Sequence, residues 1–243
     1  MYLQDYIWFL VAILGCMIFS GIVNGRVKSA FSKHDKTRCH SGLTGYDTVV
    51  RLMQANGVRD ISVGSVGGFL TDHYHPTKKI VNLSESTHGS SSVAAVAVAA
   101  HEMGHVMQKK KGYAMYKLRT ALVPVVNFGS RLSMPLVLVG LLLDLTATTA
   151  DANTGFYIAM VGVMLYGGSL LFALVTLPVE LNASRRAKKM LLSEGILTQD
   201  EMPAASEVLS AAALTYLASL LTSLVYFLRF LFQVLTIFGR RRD

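Results

Sequence analysis

Three stretches of this chain carry no charged residue at all: Ile7–Val23, Phe156–Val179 and Val208–Leu228. As helices rising 1.5 Å per residue, each can cross about 30 Å of hydrocarbon. Leu132–Ala150, despite Asp144, reads as one more span, because Phe156–Val179 follows after a short polar turn and the pair makes a hairpin. Hydrophobic residues form 52% of the 243, charged residues 16%, and mean hydropathy is +0.43, too apolar for a soluble domain of this length. The expected class is a mainly α membrane protein with about four transmembrane helices.

Ile7–Val23 lacks a basic flank on its N-terminal side, and Asn24-Gly25-Arg26-Val27-Lys28 follows it instead of a small-residue cleavage site. An uncleaved anchor is expected. The formal charge of +8 is not a nucleic-acid signal, because of where it sits. Lys and Arg are concentrated between Arg26 and Arg131 and again between Arg185 and Lys189, and are missing from Met1–Val23 and from Asp151–Gly155. That asymmetry puts the N-terminus and the 151–155 turn outside and the basic segments in the cytoplasm. The basic juxtamembrane residues would also attract anionic lipid headgroups. Arg229 and the Arg240–Arg242 tail run against this trend. Cys16 and Cys39 give no disulfide framework.

The expected organisation is a transmembrane anchor over 1–25, a cytoplasmic α+β part over 26–131, a transmembrane hairpin over 132–179, a cytoplasmic helix over 180–207, and a C-terminal membrane helix with a basic tail over 208–243. Ser41–Gly45 leads into a helix over Tyr46–Asn56, closed by Asn56-Gly57. Val58–Ser84 reads as a small hairpin or sheet, with strand character at Ile61–Gly64 and Lys79–Leu83 and a turn at Thr71–Pro76. Ser84-Glu85-Ser86 offers capping chemistry ahead of a helix over Ser91–Gln108.

That helix carries His101-Glu102-Met103-Gly104-His105, which fits H-E-x-x-H. One helical turn separates the two histidines, so both imidazoles can converge on one ion. Glu102 lies about 100° round the helix from His101, placed to activate a metal-bound water. Zinc would lower the pKa of that water and polarise a scissile carbonyl. Five-residue matches of this kind also arise by chance, but a capped, apolar, proline-free helix favours a metal site. A catalytic zinc needs a third protein ligand. Glu180 is the leading candidate, because Pro178 would punctuate the long span and Glu180, Ala183, Ser184 and Ala187 would share one helical face. An ion pair of Glu180 with Arg185 or Arg186 is the alternative. His73, Tyr74 and His75 read as a polar turn braced by Asp72, in preference to a set of transition-state hydrogen-bond donors.

Beyond H-E-x-x-H, the segments Ser41–Gly45, Leu70–Tyr74, Leu118–Pro124, Asn127–Arg131, Leu177–Ala187 and Ala212–Tyr216 together make the chain resemble the YugP-like family of membrane-bound neutral zinc metallopeptidases. The likeness to membrane proteases of the HtpX and prenyl-protein (CAAX) processing type is more distant. The resemblance implies a gluzincin-like zinc protease domain inserted between the spans, one Zn2+ per chain on His101, His105 and Glu180, and Glu102 as the catalytic residue. It also implies protein or peptide substrates, membrane proteins foremost. The distant relatives carry Asp four residues after the ligating Glu, where this chain has Ser184.

The expected protein is therefore a multi-pass plasma-membrane endopeptidase with its active site facing the cytoplasm, acting in membrane protein quality control or processing, with further membrane-protein partners and no nucleic acid. A non-catalytic zinc-containing scaffold subunit of a membrane complex is the alternative. An active site inside the bilayer is disfavoured, because Val93–Ala100 is short and Lys109-Lys110-Lys111 follows.

Overall fold

A computed structural model describes residues 2–146 and 153–239. The protein is mostly helical, in the order α1 (Tyr2–His34), α2 (Gly45–Ala55), β1 (Ser62–Val66), β2 (His73–His75), β3 (Ile80–Ser84), α3 (Glu85–His88), α4 (Val93–Lys110), α5 (Ala114–Thr146), α6 (Asn153–Ser193) and α7 (Met202–Gly239). Among the described residues four helices are long and apolar enough to cross a membrane, over Ile7–His34, Ala114–Leu143, Thr154–Ser193 and Met202–Phe238. The second begins well before Leu132, since neither Arg119 nor Arg131 interrupts α5. Residues 151–152 of the expected turn, the end of the 132–150 stretch and the 240–242 tail lie outside the described residues, while 153–155, expected in the turn, already belong to α6.

The chain forms two compact units. The first comprises Met1–Ser20, Leu118–Leu177 and Tyr216–Asp243. Within it α5 and α6 approach closely through glycine: a Cβ on Gly162 would lie 2.6 Å from the Ser133 carbonyl oxygen, and one on Gly140 2.5 Å from that of Gly155. Lipid offers no hydrophobic drive between helices, so such backbone proximity is what packs them. Val137, Ala159, Val163, Val234 and Phe238 are buried together, while Trp8, Met17, Phe128 and Met164 are exposed, a distribution suited to an apolar surround. Arg229 lies in uninterrupted helix with its guanidinium 5.1 Å from the centre of the Phe9 ring.

The second unit comprises Gly21–Lys117 and Pro178–Thr215. Its sheet has the order β1-β3-β2, with β1 parallel and β2 antiparallel to β3. The segment expected to be a turn at Thr71–Pro76 contains β2. Its backbone pairs with Ile80–Asn82, and the reversal falls between the strands, where Lys79 takes φ +53°. Asp72, expected to brace the 73–75 segment itself, is bonded to the end of β3: Oδ1 accepts from the Ser84 N–H and Oδ2 from its hydroxyl, both at 2.8 Å.

Capping decides the helix starts. Thr44 and Asp47 form a reciprocal capping box at α2. Ser84 does not cap α4, because the short helix α3 intervenes and ends at Gly89. Ser92 takes that role, accepting from the Ala95 N–H at 3.1 Å, and its hydroxyl is anchored on Asp35 Oδ1 at 2.7 Å. From there α4 runs through the core of the unit, with Val93–Ala97, Ala99, Ala100 and Met103 fully buried. Pro178 does not end the long helix, contrary to expectation. A proline removes one backbone donor and bends a helix without necessarily stopping it, and α6 continues unbroken to Ser193.

Candidate metal centre

The distance between α4 and α6 is set by Gly104. A Cβ there would lie 2.5 Å from the Ala183 carbonyl oxygen, closer than any side chain allows. Ala183 and Ala187 are themselves fully buried, so small residues on both helices bring the backbones together. With so little between the helices, side chains one turn along each of them meet directly.

Those side chains are His101, His105 and Glu180. Glu180 Oε2 stands 3.2 Å from His101 Nε2 and 3.4 Å from His105 Nε2. The two imidazoles meet at 90° with their centres 4.8 Å apart. One donor atom from each of the three residues lies within 4.8 Å of the others, an arrangement able to hold a metal ion. Ligands on a tetrahedral ion with bonds of about 2.0–2.1 Å are separated by about 3.3 Å, close to both His–Glu distances. The alternative pairing of Glu180 with Arg185 or Arg186 does not define its surroundings; the carboxylate is 2% exposed and faces the two imidazoles.

The outward nitrogens of the two rings are also occupied. His101 Nδ1 lies 3.1 Å from Ser184 Oγ. His105 Nδ1 lies 3.0 Å from Gln108 Oε1, and Gln108 is completely buried. Ser184, which stands four residues after Glu180, thus meets His101 with a hydroxyl and not a carboxylate. Gln108 was not anticipated. The available signal was its spacing, three residues beyond His105 on the same helix, which puts both on one face.

Glu102 is 6% exposed, and its carboxylate makes no hydrogen bond or ion pair among the described residues. Burial opposes a positive charge on His105, but the hydrogen bond the ring donates to Glu180 and the charges of Glu180 and Glu102 outweigh it, so the ring's pKa is raised from its ordinary value. Tyr116 packs near the same ring, 6.3 Å between centres.

His73 and His75 are engaged elsewhere. His73 Nδ1 meets the Thr71 carbonyl at 2.9 Å and its Nε2 the Asn82 amide at 3.1 Å, while His75 Nδ1 accepts from the Lys78 N–H at 3.2 Å. These are contacts of the sheet and its turn. Tyr74 packs against the hydrophobic core, and burial pushes its phenol up to about 12.

A family model described as "Putative neutral zinc metallopeptidase" matches residues 8–235. The chain belongs to that family. A relative from Bacillus subtilis (strain 168), named "Putative membrane protease YugP", is 40% identical over 225 residues, covering 93% of this chain and 94% of its own length. No solved structure gives a significant match. The family's zinc suits the donor set found here, two imidazole nitrogens and one carboxylate oxygen, the combination typical of a catalytic site that keeps a fourth position open.

Proposed function

We propose that this neutral zinc metallopeptidase family member is a multi-pass membrane endopeptidase of the gluzincin type, with one zinc per chain held by His101, His105 and Glu180. The observation that carries the reading is the meeting of Glu180 Oε2 with both histidine Nε2 atoms, beside the buried Glu102 carboxylate, which makes no hydrogen bond or ion pair among the described residues.

The chain's own groups divide the work. His101 and His105 present Nε2 lone pairs, and Glu180 contributes negative charge from the second helix. When bound, zinc supplies Lewis acidity that polarises a scissile carbonyl and makes water a competent nucleophile near neutral pH. Glu102 takes the proton released by the attacking water and returns it to the leaving amine nitrogen, so it serves as base and then as acid. Buried α4 around these groups limits their contact with bulk water and strengthens their electrostatic interactions.

Successive spans alternate in direction, so segments 35–113 and 194–201 share one side of the bilayer. The basic residues flanking the spans put that side in the cytoplasm, and with it the metal centre. The proposed layout is an anchor at the N-terminus, a cytoplasmic part that ends near Tyr113, a membrane hairpin whose first helix starts at Ala114 instead of 132 and whose second ends by 179, a cytoplasmic part over 180–207 and a membrane helix from 208. Substrates at this face are membrane proteins or bilayer-proximal segments awaiting processing or removal, and further membrane proteins are candidate partners.

Glu102→Gln tests the reaction. It removes the base but keeps the shape, so the variant should retain one zinc per chain and lose cleavage of a casein-type or membrane-protein substrate. Cleavage at the parent rate by this variant would refute the mechanism.

A further inference from the structure

Gln108 does more than fill space beneath His105. Its amide has two different ends, and its surroundings dictate which faces where. Gln108 Nε2 lies 2.7 Å from the Val179 carbonyl oxygen and 3.1 Å from Asn182 Oδ1. A backbone carbonyl can only accept, so the NH2 end must point to Val179. Asn182 Oδ1 in turn accepts from Arg186 Nε at 2.7 Å, which fixes its oxygen towards Gln108 as well. With both donors committed to α6, Gln108 Oε1 is left facing His105 Nδ1 at 3.0 Å. An amide oxygen accepts only, so Nδ1 must carry the ring proton. Nε2 then bears the lone pair, and it is the atom 3.4 Å from Glu180 Oε2.

We propose that Gln108 is a positioning residue for the metal centre: it locks His105 as the Nδ1–H tautomer and ties that ring to the α6 backbone at Val179, one residue before Glu180. The two halves of the site, one on each helix, are thereby held in one register. The assignment rests on the proposed ligation by His101, His105 and Glu180. Glutamine is the residue suited to the position, since acceptor and donor are needed at opposite ends of one planar group. Glutamate would accept from the ring but set a carboxylate oxygen against the Val179 carbonyl. Methionine would match the length and do neither.

The test uses the full chain in detergent, with Zn2+ affinity measured by chelator competition and folding of the metal-free protein followed by circular dichroism. Gln108→Met should weaken Zn2+ binding by roughly 10- to 100-fold, the usual effect of losing a partner to a metal-bound histidine, with the helical spectrum retained. Gln108→Glu, which keeps the acceptor, should recover part of that loss. A folded Gln108→Met variant that binds Zn2+ within twofold of the parent overturns the proposal. Should both variants fail to fold, the parent decides through 15N-histidine spectra. The rings that respond to Zn2+ should do so at Nε2 while keeping the proton on Nδ1, and a response at Nδ1 overturns the assignment. Glu180→Ala separates the two layers of the argument: if it binds Zn2+ as the parent does, the ligand set is wrong, whatever Gln108 does.

Discussion

A single carboxylate oxygen, Glu180 Oε2, is shared between the Nε2 atoms of His101 and His105, at 3.2 and 3.4 Å. The histidines come from α4 and the carboxylate from α6, 75 residues beyond His105 in the sequence. Glu180→Ala should therefore abolish cleavage and leave the purified protein with far less than one zinc per chain by elemental analysis. Glu180→Gln should do nearly the same, since it keeps the volume but loses the charge and most of the donor strength. Full zinc occupancy in either variant would mean that the third ligand lies elsewhere.

The close approach of the two helices depends on one missing methyl group. Gly104→Ala would place a Cβ 2.5 Å from the Ala183 carbonyl oxygen, so α6 must move or the helix must distort. Overpacking of this kind costs about 1–3 kcal/mol. The displaced helix carries Glu180, so activity should fall more than stability alone explains. Gly89→Ala is the matched control, because nothing lies within 4 Å of its would-be Cβ and its φ is negative. Thermal melting and turnover of the two variants should differ clearly, and equal behaviour would remove Gly104 from the argument.

What the sequence revealed follows from the range of each interaction. The pairing of His101 with His105 is a matter of helical spacing within one turn, so it could be read directly. Glu180 could be only a candidate, because its meeting with the histidines depends on Gly104 and Ala183 bringing two distant helices together. Gln108 escaped notice because a buried glutamine declares itself only through partners such as Val179 and Asn182, both on the other helix. Segment 73–75 looked like a turn because its strand character comes from pairing with Ile80–Asn82, not from its own composition. Pro178 looked like a stop for the opposite reason: a local rule was overridden by a helix continuing on both sides.

Ser184 now has a geometric role, with Oγ 3.1 Å from His101 Nδ1. Ser184→Ala should lower Zn2+ affinity by roughly tenfold, at the lower end of the range for partners of metal-bound histidines, because a hydroxyl orients the ring without adding charge. Chelator competition would measure it. A variant that binds Zn2+ as tightly as the parent would mean that packing alone holds the His101 ring.

The pH response should change sign with metal. In the metal-free protein the pKa of His105 is raised: burial disfavours the charged ring, but Glu180 beside it more than compensates. The stabilisation from that proton is fully present below the ordinary histidine value of about 6.5 and is lost as pH rises through the folded value. Zinc needs the same ring unprotonated, so its binding must weaken as pH falls through that range, and protons are released on loading. Melting temperatures of the metal-free and zinc-loaded forms should converge as pH is lowered and separate as it is raised. Profiles that stay parallel from pH 5 to 8 would show that His105 is not where metal and proton compete.

The side of the membrane that holds the metal centre is open to direct measurement. Spans at Ile7–His34, Ala114–Leu143, Thr154–Ser193 and Met202–Phe238 alternate in direction if all four cross, so positions 36 and 199 must share a face and position 4 must lie opposite. Lys36, Gln199 and Gln4 are all exposed. In a chain carrying Cys16→Ala and Cys39→Ala, Lys36→Cys and Gln199→Cys should resist an impermeant thiol reagent in intact cells and react in inverted vesicles, while Gln4→Cys should do the reverse. The positive charge around Arg26–Arg38 and Arg185–Lys189 is the basis of the proposed orientation, and the Arg240–Arg242 run opposes it. Labelling of Lys36→Cys from outside intact cells would invert the protein and move peptide hydrolysis to the other face. Different reactivity at positions 36 and 199 would show instead that one of the four helices does not cross.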